Sequence, residues 1–189
     1  MDNVIIVSST EKGNTVLTDF LRSQSFTVAG TISSGSEARR AFLEQAPDLV
    51  IINAPLIDEF GHELAMNIAE THVCGIILVV KTDVAEDVEA KVEDYGVVVV
   101  PKPINRAFFY HAVKMVLTAR RRLMVLQTEN VKLQQKIEEI RLVDRAKCCL
   151  IQYLNMTEAQ AHRHIEKQAM DTRRTRREVA EGILQTYES

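Results

Sequence analysis

The chain has few cysteines and no long apolar run, and both absences narrow the class of protein. Its 189 residues contain three cysteines, Cys74, Cys148 and Cys149, without the spacing of a disulfide framework or a zinc site. No apolar stretch approaches the ~18 residues of a transmembrane helix, and the first residues lack the basic and apolar parts of an export signal. The sequence predicts a cytoplasmic protein with reduced thiols that does not contact a membrane and needs neither metal nor cofactor.

Residue patterns of common catalytic sites are also missing. No glycine-rich phosphate loop follows the apolar run at residues 4–7, and neither a Ser/His/Asp order nor a pair of carboxylates at the end of a predicted strand is present. The five histidines are scattered along the chain. The sequence therefore predicts that the protein is not an enzyme.

Charge is distributed unevenly along the chain. Residues 1–110 hold 8 lysines and arginines against 16 acidic residues, and residues 111–189 hold 15 against 10, so the net charge of −3 divides into −8 and +5. An acidic body followed by a basic C-terminal segment favours a partner with a phosphate backbone for that segment.

The first 110 residues have the pattern of an α/β domain. Continuous apolar runs at residues 4–7, 49–52, 76–80 and 97–100, with a less regular one near 26–32, are typical of strands buried on both faces of a parallel sheet. Segments with helical periodicity lie between them, and Ser34 and Glu37 have the spacing of a capping box. The alternation predicts an α/β fold with a doubly wound, five-stranded parallel sheet.

A heptad repeat extends from about residue 116 to residue 144, uninterrupted by glycine or proline. Its one polar seam residue, Asn130, occupies an a position, where it can pair with its own copy and fix the register of a parallel dimer. The pattern predicts a homodimer through a parallel coiled coil. A second stripe, Leu117, Met124 and Val131, leaves open the alternative of a helix folded back on its own domain. The seam consists of Val116, Ala119, Leu123, Leu126, Asn130, Leu133, Ile137 and Ile140.

Three short helical segments are predicted for residues 145–189. The long helix should continue and stop at Asn155, a common residue after a helix. Thr157 with Gln160, and Thr175 with Glu178, have the spacing of capping boxes that start two further helices. Because a unit of about 45 residues buries little apolar surface, we expect it to be supported by the coil.

Nearly all of residues 1–120 resembles the response-regulator receiver family. Residues 47–53 are similar to the family's third strand, and Lys102-Pro103 to the Lys-Pro pair after its fifth strand. The resemblance implies a flavodoxin-like fold. It also implies a site in which two acidic residues hold Mg²⁺ beside a phosphoacceptor aspartate, with a Ser or Thr and a lysine nearby.

The residues of that site depart from the family pattern. An amide such as Asn53 cannot form an acyl phosphate, and hydroxyls are poor substitutes for the anionic oxygens that Mg²⁺ prefers. The nearby loop residues Asp58 and Glu59 are interpreted as solvated charges. The sequence therefore predicts a pseudo-receiver without a phosphoacceptor. Ser8 and Ser9 stand at the positions of the acidic pair, and Asn53 stands at that of the phosphoacceptor. Val80 stands where the family has Ser or Thr, and Lys102 stands where it has lysine.

Residues 146–180 resemble the ANTAR domain of transcription antiterminators. The motifs are A-K at 146–147, M-T-E-A-Q-A at 156–161, A-M-D at 169–171 and E-V-A at 178–180, with Asn155 and His162 as mild departures. The resemblance implies binding of stem-loops in nascent mRNA leaders. The basic and base-contacting candidates are Lys147, Gln152, Tyr153, His162, Arg163, Lys167, Arg173, Arg174, Arg176 and Arg177.

These features together predict a dimeric transcription antiterminator with three parts. Residues 1–115 form a receiver-like domain, residues 116–144 a coiled-coil helix, and residues 145–189 an ANTAR module. The alternative is a DNA-binding transcription factor of the response-regulator type, in which a helix of the module enters a major groove. Without phosphorylation, we expect control by a regulatory protein that binds the receiver-like domain, or by dimer assembly itself.

Overall fold

The computed structural model describes residues 2–44 and 47–187. Residues 1, 45 and 46, and residues 188–189 of the predicted ANTAR module, lie outside the described residues. The chain divides into two compact units, residues 1–125 and residues 126–189. Within the described ranges, no helix combines the length and the apolar character needed to cross a bilayer.

A five-stranded parallel sheet forms the centre of the first unit. The predicted α/β fold is confirmed, and the strand order across the sheet is β2-β1-β3-β4-β5. The strands are β1 (Asn3–Ser8), β2 (Thr27–Ile32), β3 (Leu49–Asn53), β4 (Gly75–Lys81) and β5 (Val98–Lys102). The helices are α1 (Glu11–Ser23), α2 (Gly35–Glu44), α3 (His62–Thr71), α4 (Ala85–Val92) and the first part of α5 (Arg106–Leu154).

Each face of the sheet carries its own hydrophobic core, because helices cover both sides of it. On one face, Leu17 of α1 and Phe109 of α5 pack with side chains of the central strands. On the other face, Phe42 of α2, Leu64 of α3 and Val88 of α4 do the same. All five residues of β3 are buried, which accounts for its continuous apolar run.

The helix α5 is continuous over 49 residues, but its first part belongs to the sheet. Val116 and Leu117 are buried in the core of the first unit, and a Cβ built on Gly75 would lie 2.3 Å from Cγ1 of Val116. The prediction that Val116 begins the coiled-coil seam is therefore wrong, because this turn of α5 packs against its own sheet. The same core covers Leu117, the first member of the second stripe.

The second unit closes around the end of α5 with α6 (Glu158–Thr172) and α7 (Arg176–Tyr187). Asn155 adopts a left-handed conformation with φ of 51° directly after α5, as expected for a residue that ends a helix. The predicted capping box at Thr157 is complete, and Thr175 and Glu178 form a second one. Four alanines of the module, Ala146, Ala161, Ala169 and Ala180, are buried between the helices.

The capping box predicted at Ser34 differs from these two. Oγ of Ser34 accepts a hydrogen bond from the backbone N–H of Glu37 at 3.2 Å. The carboxylate of Glu37 instead accepts one from the hydroxyl of Ser33 at 3.3 Å. The N–H groups at the start of α2 are instead bound by the carboxylate of Asp58, which lies in the loop after β3.

Candidate functional site

A small polar site lies at the carboxyl ends of β1 and β3. Ser8 and Asn53 are direct neighbours in the parallel ladder and are 0% and 9% exposed. Nδ2 of Asn53 donates a hydrogen bond to Oγ of Ser8 at 2.8 Å, and the Ser8 hydroxyl donates to the Thr10 carbonyl at 3.4 Å. The two side chains thus satisfy each other in a place where an unpaired polar group would be costly.

The first turn of α1 closes this site from above. A Cβ built on Gly13 would lie 2.4 Å from Nδ2 of Asn53, 2.7 Å from Oγ1 of Thr10 and 2.9 Å from Oγ of Ser8. The helix can approach this closely only because residue 13 has no side chain. The backbone of α1 therefore occupies the space beside Asn53.

The two other polar candidates, Ser9 and Lys102, donate hydrogen bonds to the loop that follows β3. The hydroxyl of Ser9 donates to the carbonyl of Pro55 at 2.9 Å, and Nζ of Lys102 donates to the carbonyl of Ala54 at 2.6 Å. Burial, with a smaller contribution from the charge of Lys81, lowers the pKa of the Lys102 ammonium group. The partner of Lys102 in this site is thus a backbone carbonyl directly after β3.

Val80, the counterpart of the receiver's Ser or Thr, does not face the polar site. It is fully buried in the core beneath α2, α3 and α4. Side chains alternate between the two faces of a strand, so Ser8 lies on the same face as Ile6, and Asn53 on the same face as Ile51. Ile6 and Ile51 both belong to the core beneath α1 and α5. The structure therefore places Val80 on the opposite side of the sheet from these two residues.

Asp58 and Glu59 have specific partners in addition to the solvent contact predicted from the sequence, since Asp58 is exposed and Glu59 is partly exposed. The carboxylate of Asp58 accepts hydrogen bonds from the N–H of Gly35 at 2.8 Å, and from the N–H and hydroxyl of Ser36 at 2.9 and 2.7 Å. The bond from the Ser36 N–H is the largest reason that the pKa of Asp58 lies well below its usual value. Glu59 makes a bidentate pair with Arg39 at 2.6 and 2.9 Å.

These contacts anchor the loop after β3 to the start of α2. A Cβ built on Gly35 would lie only 1.6 Å from Oε1 of Glu59, so a side chain at this position would displace the Glu59 carboxylate from its pair with Arg39. The anionic Asp58 also sits where the free N–H groups of α2 point, a favourable place for a negative charge. The sequence carries no local signal for this arrangement, because the loop and α2 are far apart along the chain.

Most of the predicted seam is exposed along α5. In the second unit, Leu126 and Leu133 are 60% and 62% exposed, and Ile137 and Ile140 are each 52% exposed. Asn130 is exposed between them, and Leu123 in the first unit is exposed as well. Large aliphatic side chains in a row at a and d spacing therefore have no cover within their own unit.

Four of the predicted RNA-binding residues have partners within the helical module. Lys147 is mostly buried, and its hydrogen bond to Asp144 is the first reason that its pKa is raised. The positive charges of Lys147, Arg176 and Arg177 are compensated by carboxylates, so they add little to the outer potential of the module. The pairs are Lys147 with Asp144 and Glu158, Arg176 with Glu139, Arg177 with Glu181, and His162 with Glu166.

Four other predicted residues form a basic surface on α6 and the turn after it. Arg163, Lys167, Arg173 and Arg174 are exposed, and none makes an ion pair with a residue in the described chain. The turn is tight, since Arg173 has φ of 54° and the N–H of Arg174 donates to the Ala169 carbonyl at 3.0 Å. We call these four residues the basic surface.

The last two candidates lie at the end of α5. Gln152 is exposed, and Tyr153 stacks on Tyr187 of α7 with ring centroids 5.3 Å apart and planes 20° from parallel. Sequence reasoning missed Tyr187, because the contact joins two helices that only tertiary packing brings together. The pair leaves Tyr153 53% exposed as a firmly held aromatic surface.

Comparison with known protein families identifies both parts of the chain. The model of the response regulator receiver domain matches residues 4–114, more than half of the chain. This chain belongs to the response regulator receiver family. The ANTAR domain model matches residues 131–184 and thus begins within the segment predicted as coiled coil. Receiver and ANTAR domains are regulatory and not enzymatic, in agreement with the sequence prediction.

Relatives and solved structures agree with this assignment. The chain is 28% identical over 170 residues to the transcriptional regulatory protein PdtaR of Mycobacterium tuberculosis, in strains CDC 1551 / Oshkosh and H37Rv, across 90% of this chain and 83% of each relative. A receiver domain protein from Clostridium thermocellum superimposes with a TM-score of 0.59 at 15% identity, over 65% of this chain and 99% of that one. The receiver domain of an HD domain-containing protein from Pseudomonas fluorescens Pf-5 superimposes with a TM-score of 0.58 at 20% identity, over 65% of this chain and 91% of that one. These structures support the fold.

The Mg²⁺ of a receiver does not fit the residues of this receiver-family chain. The corresponding positions offer the Ser8 and Ser9 hydroxyls and the Asn53 amide, whereas Mg²⁺ favours carboxylate oxygens in octahedral geometry. The approach of Gly13 leaves no room beside Asn53. Among the residues that the structure describes, no group of three or more His, Cys, Asp or Glu side chains could hold a metal ion.

Proposed function

We propose that this ANTAR-containing, response-regulator-like transcriptional regulator is an antiterminator that binds stem-loops in nascent mRNA as a dimer. The observation that carries the proposal is the basic surface of Arg163, Lys167, Arg173 and Arg174, which lies inside the residues that match the ANTAR domain. An RNA loop presents a dense path of phosphates and unstacked bases, and it is recognised by exposed cations beside aromatic or hydrogen-bonding groups. Tyr153 and Gln152 supply such groups near the end of α5.

The dimer is proposed to form through a parallel coiled coil along α5. The exposed aliphatic row from Leu126 to Ile140 supports it, since side chains of this kind are stabilised by burial against a second copy. Asn130 at an a position favours the parallel arrangement in register. Two modules on one coil would make the second stem-loop contact intramolecular, which raises the overall affinity without any new contact.

Regulation is proposed to proceed without aspartyl phosphorylation, so that residues 1–115 act as a pseudo-receiver. The amide of Asn53, its bond to Ser8 and the close approach of Gly13 support this proposal. The input is then a regulatory protein that binds the acidic receiver-like domain in the cytoplasm, or dimer assembly itself. Within residues 116–144, Val116 and Leu117 belong to the receiver core, and the rest of this segment remains the proposed coil. Residues 145–189 remain the proposed RNA-binding module.

A direct binding comparison tests the proposal. A library of short RNA hairpins with a randomised loop is selected on the full-length protein, and a selected hairpin is compared with a DNA duplex of the same stem sequence. We expect the RNA hairpin to bind more tightly at equal salt. Preferential binding of the DNA duplex would instead establish the DNA-binding alternative.

Salt dependence shows whether the basic surface makes the contact. Lys167→Ala should weaken hairpin binding and lower the salt slope by about one, as expected when one phosphate contact is lost. Lys132→Ala removes the same charge from the exposed face of the coil and should leave both quantities unchanged. Equal effects of the two variants would contradict the assignment of this surface.

A further inference from the structure

A groove of about 380 Å³ lies in the helical module between the end of α5, α6 and α7. Its floor is apolar and includes Leu150, Val179 and Ile183, which belong to the core of the module. A volume of this size lies in the lower range of pockets that take small organic groups. Of the RNA-binding residues predicted from the sequence, only Arg174 lines this groove.

One wall of the groove carries polar side chains in register. His164, Gln168 and Thr172 follow one another at intervals of four on α6, and all three are exposed. Residues at this spacing share a helix face. Together they offer an imidazole, a carboxamide and a hydroxyl, which provide both donors and acceptors.

One end of this wall is cationic. Arg174 closes the groove at the turn after α6. Glu178 also lines the groove, but its carboxylate accepts hydrogen bonds from the N–H and the hydroxyl of Thr175 at 2.7 and 2.9 Å. That carboxylate is therefore engaged in capping α7, and it also attracts the guanidinium of Arg174.

The rim opposite α6 is aromatic. Tyr187 lines the groove, and its ring is backed by the stacked ring of Tyr153. A ring supported from behind can offer a flat face at little cost in side-chain entropy. The groove thus combines an apolar floor, one polar wall, one aromatic edge and a cationic end.

We propose that this groove holds a single unpaired nucleobase from the loop of the bound RNA, an inference that rests on the proposed RNA-binding function. A nucleobase has two apolar faces and a polar edge, which match the floor and the polar wall respectively. Stacking on an aromatic side chain and hydrogen bonding along the base edge are how proteins read splayed bases in RNA loops. The neighbouring phosphates would lie on the basic surface. A base inside a helical stem cannot enter, because its edge is paired and its faces are stacked.

Gly182 makes the proposal testable without disturbing the core. It lines the groove on α7, and a Cβ built there would meet no heavy atom within 4 Å. Gly182→Leu would place a large side chain into the groove. Gly182→Ala is the matched control, because it makes the same backbone change without filling the space, and both replacements favour the helix.

The measurements are hairpin affinity, its salt slope and the fluorescence of 2-aminopurine placed singly at each loop position. We expect wild type and Gly182→Ala to bind a selected hairpin equally, with one loop position whose fluorescence changes strongly on binding. Gly182→Leu should bind at least tenfold more weakly, lose that fluorescence change and keep the salt slope. Helical content by circular dichroism verifies its fold, and the double variant His164→Ala/Gln168→Ala replaces it if the fold is lost.

The outcomes separate this inference from the proposed function. If wild type binds no hairpin of the library, RNA binding itself is refuted and the inference with it. If wild type binds but the groove variants bind equally well, RNA binding stands and the groove inference is overturned. A loss of affinity that comes with a change in oligomeric state would also overturn it, because the groove would then serve contact between copies of the chain.

Discussion

The clearest quantitative expectation concerns the seam of α5, where we consider the replacement of Leu126 and Leu133 by Gln. Each leucine is about 60% exposed in the single chain. Full burial of a leucine side chain is worth roughly 1.5–3 kcal/mol, so burying the exposed part in a coiled coil contributes about 1–2 kcal/mol. A dimer contains four such side chains. The double replacement should therefore weaken association by roughly 4–7 kcal/mol, or about three to five powers of ten in Kd.

Sedimentation velocity over a concentration series measures this change directly. Wild type should sediment as a dimer, and the Leu126→Gln/Leu133→Gln variant as a monomer with unchanged helical content in each unit. Val125→Gln is the matched control, because Val125 is 57% exposed but lies at a c position outside the seam. An unchanged Kd in the double variant, or an equal loss in the control, would refute the coiled coil. RNA affinity should fall with dimerisation, since the second contact is no longer intramolecular.

Three further changes test the receiver-like unit. Treatment with acetyl phosphate and Mg²⁺ should yield no acid-labile phosphate on wild type, as measured by intact mass, with a receiver that retains its aspartate as the positive control. Asn53→Asp should also remain unmodified. Its free energy of unfolding in urea should be roughly 1–3 kcal/mol lower than that of wild type. Gly13→Ala should destabilise the protein by about 1–3 kcal/mol through overpacking. Gly182→Ala, in open space on α7, should instead stabilise the protein by up to ~1 kcal/mol. Equal effects of the two variants would refute the close packing of α1 over Asn53. The folded pKa of Asp58 is depressed, so its stabilisation is present above about pH 4 and is lost as the pH falls towards the folded value. The free energy of unfolding of Asp58→Asn, measured in urea over a pH series, should therefore be lower than that of wild type at pH 7 and change less in acid. Equal pH dependence of the two proteins would refute the capping role of Asp58.

Most of the fold could be predicted because its signals are local. The buried runs of β1, β3, β4 and β5, the capping residues Thr157 and Thr175, and the left-handed Asn155 all depend on a few neighbouring residues. Val116 shows where this reasoning fails. An apolar residue at heptad spacing is compatible with a coiled-coil seam and with a domain core, and only the position of the sheet beside Gly75 decides between them.

The candidate sites show the same division. Asp58 and Glu59 could be identified as loop charges, but not as the anchors of α2, because their partners Ser36 and Arg39 lie on a different element. Among the basic residues of the module, the sequence could not separate Lys147, which pairs with Asp144 and Glu158, from Lys167, which makes no ion pair with a described residue. Ion pairing depends on distances between helices, and composition contains no information about them.

By itself the sequence determined what chemistry the receiver-like unit retains: an amide stands at residue 53 and hydroxyls at residues 8 and 9, and no packing can change these functional groups. It also determined the heptad spacing along α5 and the motifs of the ANTAR domain. Only the tertiary structure decided that Gly13 closes over Asn53, that Val80 turns away from the site, and that α5, α6 and α7 enclose a groove. Those features arise where residues distant in the chain come into contact, and such contacts exist only once the elements have packed.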